Sequence, residues 1–166
     1  MGIYVACVAN LLMISDPSTH TPSAVPAGLA LHRIGEEDLG DVGRAYWRTY
    51  LDTPEERSLT EASDDVRAAW GGEYGRWLAA GSLLARVNNR LSGAIITVED
   101  PPWPDVPPGP FITDLFVLPE MRRRGIGRAL VQAVQSALPT GIGLRVDDAA
   151  VEARALYVSL GFRPAT

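Results

Sequence analysis

From residue 29 onward, hydrophobic positions alternate with polar ones and then recur at helical spacing, in regular succession. Leu29-Ala30-Leu31-His32-Arg33-Ile34 alternates and predicts a strand. Residues 36–51 carry Leu39, Val42, Ala45, Tyr46 and Tyr50 at helical spacing, and Glu36, Glu37 and Asp38 complement the positive end of that helix. Ser63, Asp64 and Asp65 predict the start of a second helix through Val66, Ala69 and Trp70, which Gly71-Gly72 ends. Residues 82–87 and 91–98 predict a hairpin about Asn88-Asn89-Arg90, and the proline-rich residues 100–110 a loop around Trp103. Residues 111–117 are β-branched and aromatic and predict a strand that Pro119 terminates. Ala129, Leu130, Ala133, Val134, Ala137 and Leu138 then mark a helix, and Leu144-Arg145-Val146 a strand before one more helix and a short last strand. The order β-α-α-β-β-β-α-β-α-β predicts an α/β fold with a mixed sheet flanked by helices.

Ahead of this pattern lies an extension, residues 1–27, with the domain expected over residues 28–166. Residues 3–14 are apolar apart from Asn10, and Pro17, Pro22 and Pro26 among Ser and Thr predict an extended connector. The apolar stretch is shorter than the ~20 residues of a membrane-spanning helix, and no basic residue precedes Arg33 to start a secretory signal.

The turn between the strand at 111–117 and the helix after it carries the clearest chemistry. It reads Leu118-Pro119-Glu120-Met121-Arg122-Arg123-Arg124-Gly125-Ile126-Gly127-Arg128. The first turn of a helix leaves backbone N–H groups without partners at the positive end of the dipole, a natural place for a phosphate. Gly125 and Gly127 let its oxygens come close.

Composition narrows the alternatives. All 15 basic residues are arginine, which removes lysine Schiff-base chemistry and a P-loop lysine. His20, His32 and Cys7 cannot supply a zinc-ligand spacing, so no metal is expected. One cysteine fits a reducing cytoplasm, with Cys7 itself read as a small buried hydrophobe. With a net charge of −5 and a single basic island, nucleic acid is not an expected partner, nor is a membrane.

Arg122-x-x-Gly125-x-Gly127 after a strand ending Val117-x-Pro119 resembles the acetyl-CoA-binding motif of the GNAT-type N-acetyltransferases. Ala153, Leu156-Tyr157 and Gly161-Phe162 match the family's A-x-x-L-Y-x-x-x-G-F pattern in the correct order downstream. The resemblance covers residues 111–162. It implies the GNAT fold, with acetyl-CoA as co-substrate and a strand that splays after Val117. Main-chain atoms of Leu115, Phe116 and Val117 would then pair with the pantetheine arm. Arg122, Arg123, Arg124 and Arg128 would neutralise the phosphates, which the N–H groups of Arg124, Gly125, Ile126, Gly127 and Arg128 would bind. Tyr157 would give a proton to the departing thiolate. The family often has Asn at the position of Ala150, and it usually continues past the Gly-Phe pair with a strand that closes the sheet. Residues 3–14 are expected to fill that edge, in their own protomer or in the partner of a homodimer.

The implied function is acetyl transfer to a primary amine on a small molecule, by direct attack in a ternary complex. The alternative is a non-catalytic acyl-CoA-binding domain. For the general base, Asp114 is the only carboxylate in its strand, but alternation turns it away from Phe111, Thr113 and Leu115 unless a bulge intervenes. Asp114, Glu120 and a water-mediated base all stay open. Acceptor recognition is expected from the aromatic and acidic residues between Tyr46 and Trp77 and from Trp103.

Overall fold

The computed structural model describes residues 10–17 and 24–165. One eight-stranded sheet holds every strand: β1 (Asn10–Ser15), β2 (Leu29–Arg33), β3 (Arg76–Trp77), β4 (Leu83–Val87), β5 (Arg90–Glu99), β6 (Pro110–Val117), β7 (Ile142–Asp147) and β8 (Phe162–Pro164). The strand order is β2-β4-β5-β6-β7-β1-β8, with β3 added to β5, and only the β6–β7 pair is parallel. Among the described residues four helices cover it: α1 (Leu39–Thr49), α2 (Leu59–Trp70), α3 (Ile126–Ala137) and α4 (Val151–Ser159).

The amphipathic spacing read from the sequence sorts the helices onto two faces. Val42, Ala45 and Tyr46 of α1 and Ala62, Val66 and Ala69 of α2 are buried on one face against Leu84, Ala94, Ile96 and Phe116. On the other, Ile126, Leu130, Val131 and Val134 of α3 and Tyr157 of α4 pack on Ala85, Ile95, Ile112, Leu144 and Phe162. The β4–β5 hairpin turns on Asn88 and Asn89, both left-handed at φ 49° and 65°, as a two-residue turn that matches strand twist demands.

Three expectations change. Helix α2 starts at Leu59, not at Ser63, because Ser58 and Glu61 form a capping box: Ser58 Oγ accepts from Glu61 N–H, and Glu61 accepts from Ser58 N–H at 2.8 Å. Glu36–Asp38 is a 3₁₀ turn ahead of α1 rather than part of it. Strand β3 is additional, too short at two residues to leave a periodic pattern.

The chain's own β1 joins the sheet, but within it rather than at the expected edge, which β8 forms. It inserts between the last two strands, antiparallel to both, from Asn10↔Asp147 to Ser15↔Ile142 on one side and from Met13↔Pro164 to Ser15↔Phe162 on the other. Met13 is buried in the core beneath α3 and α4. Residues 3–9, Cys7 among them, lie outside the described residues, as does the middle of the connector. No helix among the described residues is long and apolar enough to cross a membrane.

Candidate active site

The turn after β6 presents a row of main-chain donors. Pro119–Met121 makes one 3₁₀ turn, Arg122 is extended, and Arg123 and Gly125 are left-handed at φ 64° and 78°. After Arg122, whose N–H donates to Pro119 O at 3.3 Å, the next N–H with an acceptor is that of Ala129, bonded to Gly125 O at 3.0 Å; those of residues 123–128 have none among the described residues. A Cβ at Gly127 would make only ordinary contact, 3.7 Å from Leu156 and 3.8 Å from Val117, so packing does not demand a glycine here.

The arginines do not act as one cluster. Arg122 donates through Nε to Val117 O at 3.2 Å and through an Nη to Thr49 O at 3.3 Å, fastening the end of β6 to the end of α1. Arg128 donates to Ser159 Oγ at 2.8 Å. Arg123 pairs with Glu152 at 2.9 Å, with both side chains about four-fifths exposed, so that bond is cheaply exchanged for a stronger anion. Arg124 has no side-chain partner among the described residues.

Strand β6 leaves β7 well before Val117. The two pair only at Phe111↔Gly143 and Ile112↔Leu144, so the splay opens after Ile112. Its cause is a bulge: β5 pairs Ile96 with Asp114 and Thr97 with Ile112, leaving Thr113 as an extra residue that bends β6. Leu118 N–H donates to Ser92 O on β5 at 2.9 Å, so by alternation Phe116 also turns its main chain to β5. The groups facing the gap are therefore those of Leu115 and Val117. Phe116 instead places its ring in the core, 5.5 Å from that of Tyr46.

The bulge also settles where Asp114 points. It places Asp114 with Phe116 on the α1–α2 side, while Ile112 joins Leu115 and Val117 on the α3–α4 side. There the half-buried carboxyl is pushed up to about 6, chiefly by desolvation and further by the charge of Asp65, against the pull of hydrogen bonds from Thr113 and Tyr46 and of the Arg57 guanidinium. Tyr50 stands edge-on to Tyr46 at 5.2 Å, its phenol raised to about 12 by burial and by Asp114. Tyr157 lies across the splay on α4, edge-on to Phe162 at 5.6 Å. Burial, then Tyr50 and Asp114, hold its phenol above the ordinary tyrosine range and so protonated.

Residues 41–162 match the model of the acetyltransferase (GNAT) family. The chain belongs to the GNAT acetyltransferase family. No protein of curated function matches it by sequence. Among solved structures, a GCN5-related N-acetyltransferase from Sphaerobacter thermophilus superposes with a TM-score of 0.69 at 17% identity, over 94% of this chain and 48% of its own. This chain thus spans about half the length of that protein. Arabidopsis thaliana Naa50, solved with a bisubstrate analogue of CoA and a peptide, gives 0.60 at 19% identity over 84% of this chain and 86% of its own. The ribosomal-protein-S18-alanine N-acetyltransferase of Escherichia coli gives 0.60 at 21%, over 83% and 79%. At such identities the likeness is one of fold.

One position departs from the GNAT pattern read in the sequence. Ala150, at the N-cap of α4, offers no side-chain acceptor, and Asp147 Oδ1 serves the preceding turn instead by accepting from Ala149 N–H at 2.8 Å. Glu120, the other carboxylate open as a base, is in an exposed pair with Arg48 at 2.8 Å. Sequence reasoning missed Arg57 altogether. It pairs with Asp65 and lies with its guanidinium carbon 6.0 Å over the Tyr46 ring, yet a single arginine in a polar linker carries no periodic or motif signal.

Proposed function

We propose that this chain moves an acetyl group from acetyl-CoA to a primary amine in the cytoplasm, the acceptor attacking directly while both substrates are bound. The observation that carries the reading is the position of Asp114. It follows the bulge at which β6 leaves β7, and the same strand ends in the turn with six unpartnered N–H groups.

Those N–H groups, Arg124 and a released Arg123 would hold the diphosphate, and the main chain of Leu115 and Val117 the pantetheine arm. Acetyl-CoA supplies an acetyl group activated as a thioester. The residues manage protons. An amine acceptor arrives as an ammonium ion and must lose a proton to become a nucleophile. Ionised above about pH 6, the Asp114 carboxylate takes that proton at neutral pH while remaining a better base than an ordinary aspartate. The Tyr157 hydroxyl would give its proton to the leaving sulfur, against the burial that makes it a weaker acid than an ordinary tyrosine.

Thiol release from acetyl-CoA in the presence of an amine panel tests this. Asp114→Asn keeps the shape and removes the base, so kcat/KM should fall by ~10²–10⁴. The acidic limb of the pH profile near 6 should vanish with it. Tight CoA binding with no turnover on any amine would make the chain a binding domain, and a limb that survives in the variant would return the base to water.

A further inference from the structure

Beside Asp114 the acceptor side of the gap carries a cation held ready for an anion. Arg57 is gripped on one side only: one Nη contacts Asp65 Oδ2, and the Tyr46 ring lies under the guanidinium. Asp65 is engaged at both oxygens, the other accepting the Tyr74 hydroxyl at 2.5 Å, and so positions Arg57. The rest of the Arg57 fork has no partner among the described residues, and its side chain is 40% exposed against 24% for Asp65. Arg57 and Asp114 feel each other's charge but form no ion pair. The other groups near the gap are phenols (Tyr46, Tyr50, Tyr74), Glu55 beside Tyr50, and Arg122, whose donors go to main-chain carbonyls. A guanidinium with unused donors and a carboxylate that feels its charge without pairing with it complement a small zwitterion.

We propose that the acceptor is an amino acid or a close analogue, an amine bearing its own carboxylate, which the fork of Arg57 binds while the amine nitrogen lies at Asp114. This rests on the transferase reading above and names its substrate class. A guanidinium fork suits a carboxylate in two parallel hydrogen bonds, a match that neither a carboxamide nor a simple polyamine offers.

The test uses the full chain with saturating acetyl-CoA and three matched sets: the standard L-amino acids, their carboxamides and their decarboxylated amines. At least one amino acid should exceed its carboxamide by ~10- to 100-fold in kcat/KM, the range for a lost charge-assisted hydrogen bond. Arg57→Gln should erase that preference, and Arg57→Lys should keep part of it by retaining the charge without the fork. Equal turnover of acids and amides, a preference that survives in Arg57→Gln, or a best acceptor that is a polyamine would overturn the proposal and leave the transferase reading standing. Calorimetry of the same compounds with CoA bound covers the other case. Arg57-dependent binding of an amino acid without turnover keeps this site and sinks the transferase reading, whereas no binding and no turnover of any amino acid overturns the site.

Discussion

Asp114 works against the stability of its own fold. Its carboxyl ionises at about 6 in the folded chain against an ordinary 3.8, so the folded state holds that proton more tightly than the unfolded one does. Stability from this group is therefore present below about pH 4, falls as pH rises from 4 to 6, and stays low at neutral pH. The difference amounts to roughly 3 kcal/mol as an upper bound. Asp114→Asn, the variant expected to lose activity, should accordingly be more stable than the parent at pH 7.5, by ~1–3 kcal/mol, and should lose that advantage at pH 4. Urea unfolding at the two pH values reads this directly, and a variant less stable at pH 7.5 would mean that the Tyr46 and Thr113 hydrogen bonds outweigh desolvation. Asp114 was legible in the sequence as the lone carboxylate of its strand, but its direction was not. The bulge sits at Thr113, which has neither the glycine nor the proline that ordinarily advertises one, and it arises from pairing with β5.

At the scale of elements, the phosphate turn and α3 could be read because their signals are local: a proline closing β6, two glycines, and apolar residues every third or fourth position. The distribution of the arginines could not, since their partners Thr49, Glu152 and Ser159 come from other elements. The start of α2 was in the sequence as Ser58-x-x-Glu61, and the later Ser63-Asp64-Asp65 run drew attention from it. The turn yields a sharp expectation. A Trp in place of Gly127 would project over the unpartnered N–H groups, so CoA affinity measured by calorimetry should fall by ~100-fold or more, the cost of losing several charge-assisted bonds. Unchanged affinity in a folded Gly127→Trp protein would place the diphosphate elsewhere.

Over the whole molecule, the sheet is completed by pairing that no local pattern announces. Residues 3–14 had strand character, but the place of β1 between β7 and β8 depends on contacts with residues 142–147 and 162–164. Met13 packs there at 1% exposure, in the same core that seats Tyr157 and the first turn of α3. Met13→Ala should therefore cost ~2–5 kcal/mol in denaturant unfolding, as a fully buried side chain does. A cost below ~1 kcal/mol would show β1 to be a loosely held appendage.

The insertion of β1 bears on how the chain is made. Ser15 pairs with Ile142, 127 positions later, and with Phe162 beyond that. On the ribosome, β1 leaves the exit tunnel first, and its neighbours leave it last. While β2 to β6 and α1 to α3 emerge and find their near partners, an apolar strand with both edges unpaired has to wait. Contacts so distant in sequence are slow to form, and an unpaired edge invites association with other nascent chains. Slowing elongation between α3 and β8 should therefore lengthen the interval in which β1 is most in need of a chaperone, and moving β1 behind β8 through a flexible linker should shorten it.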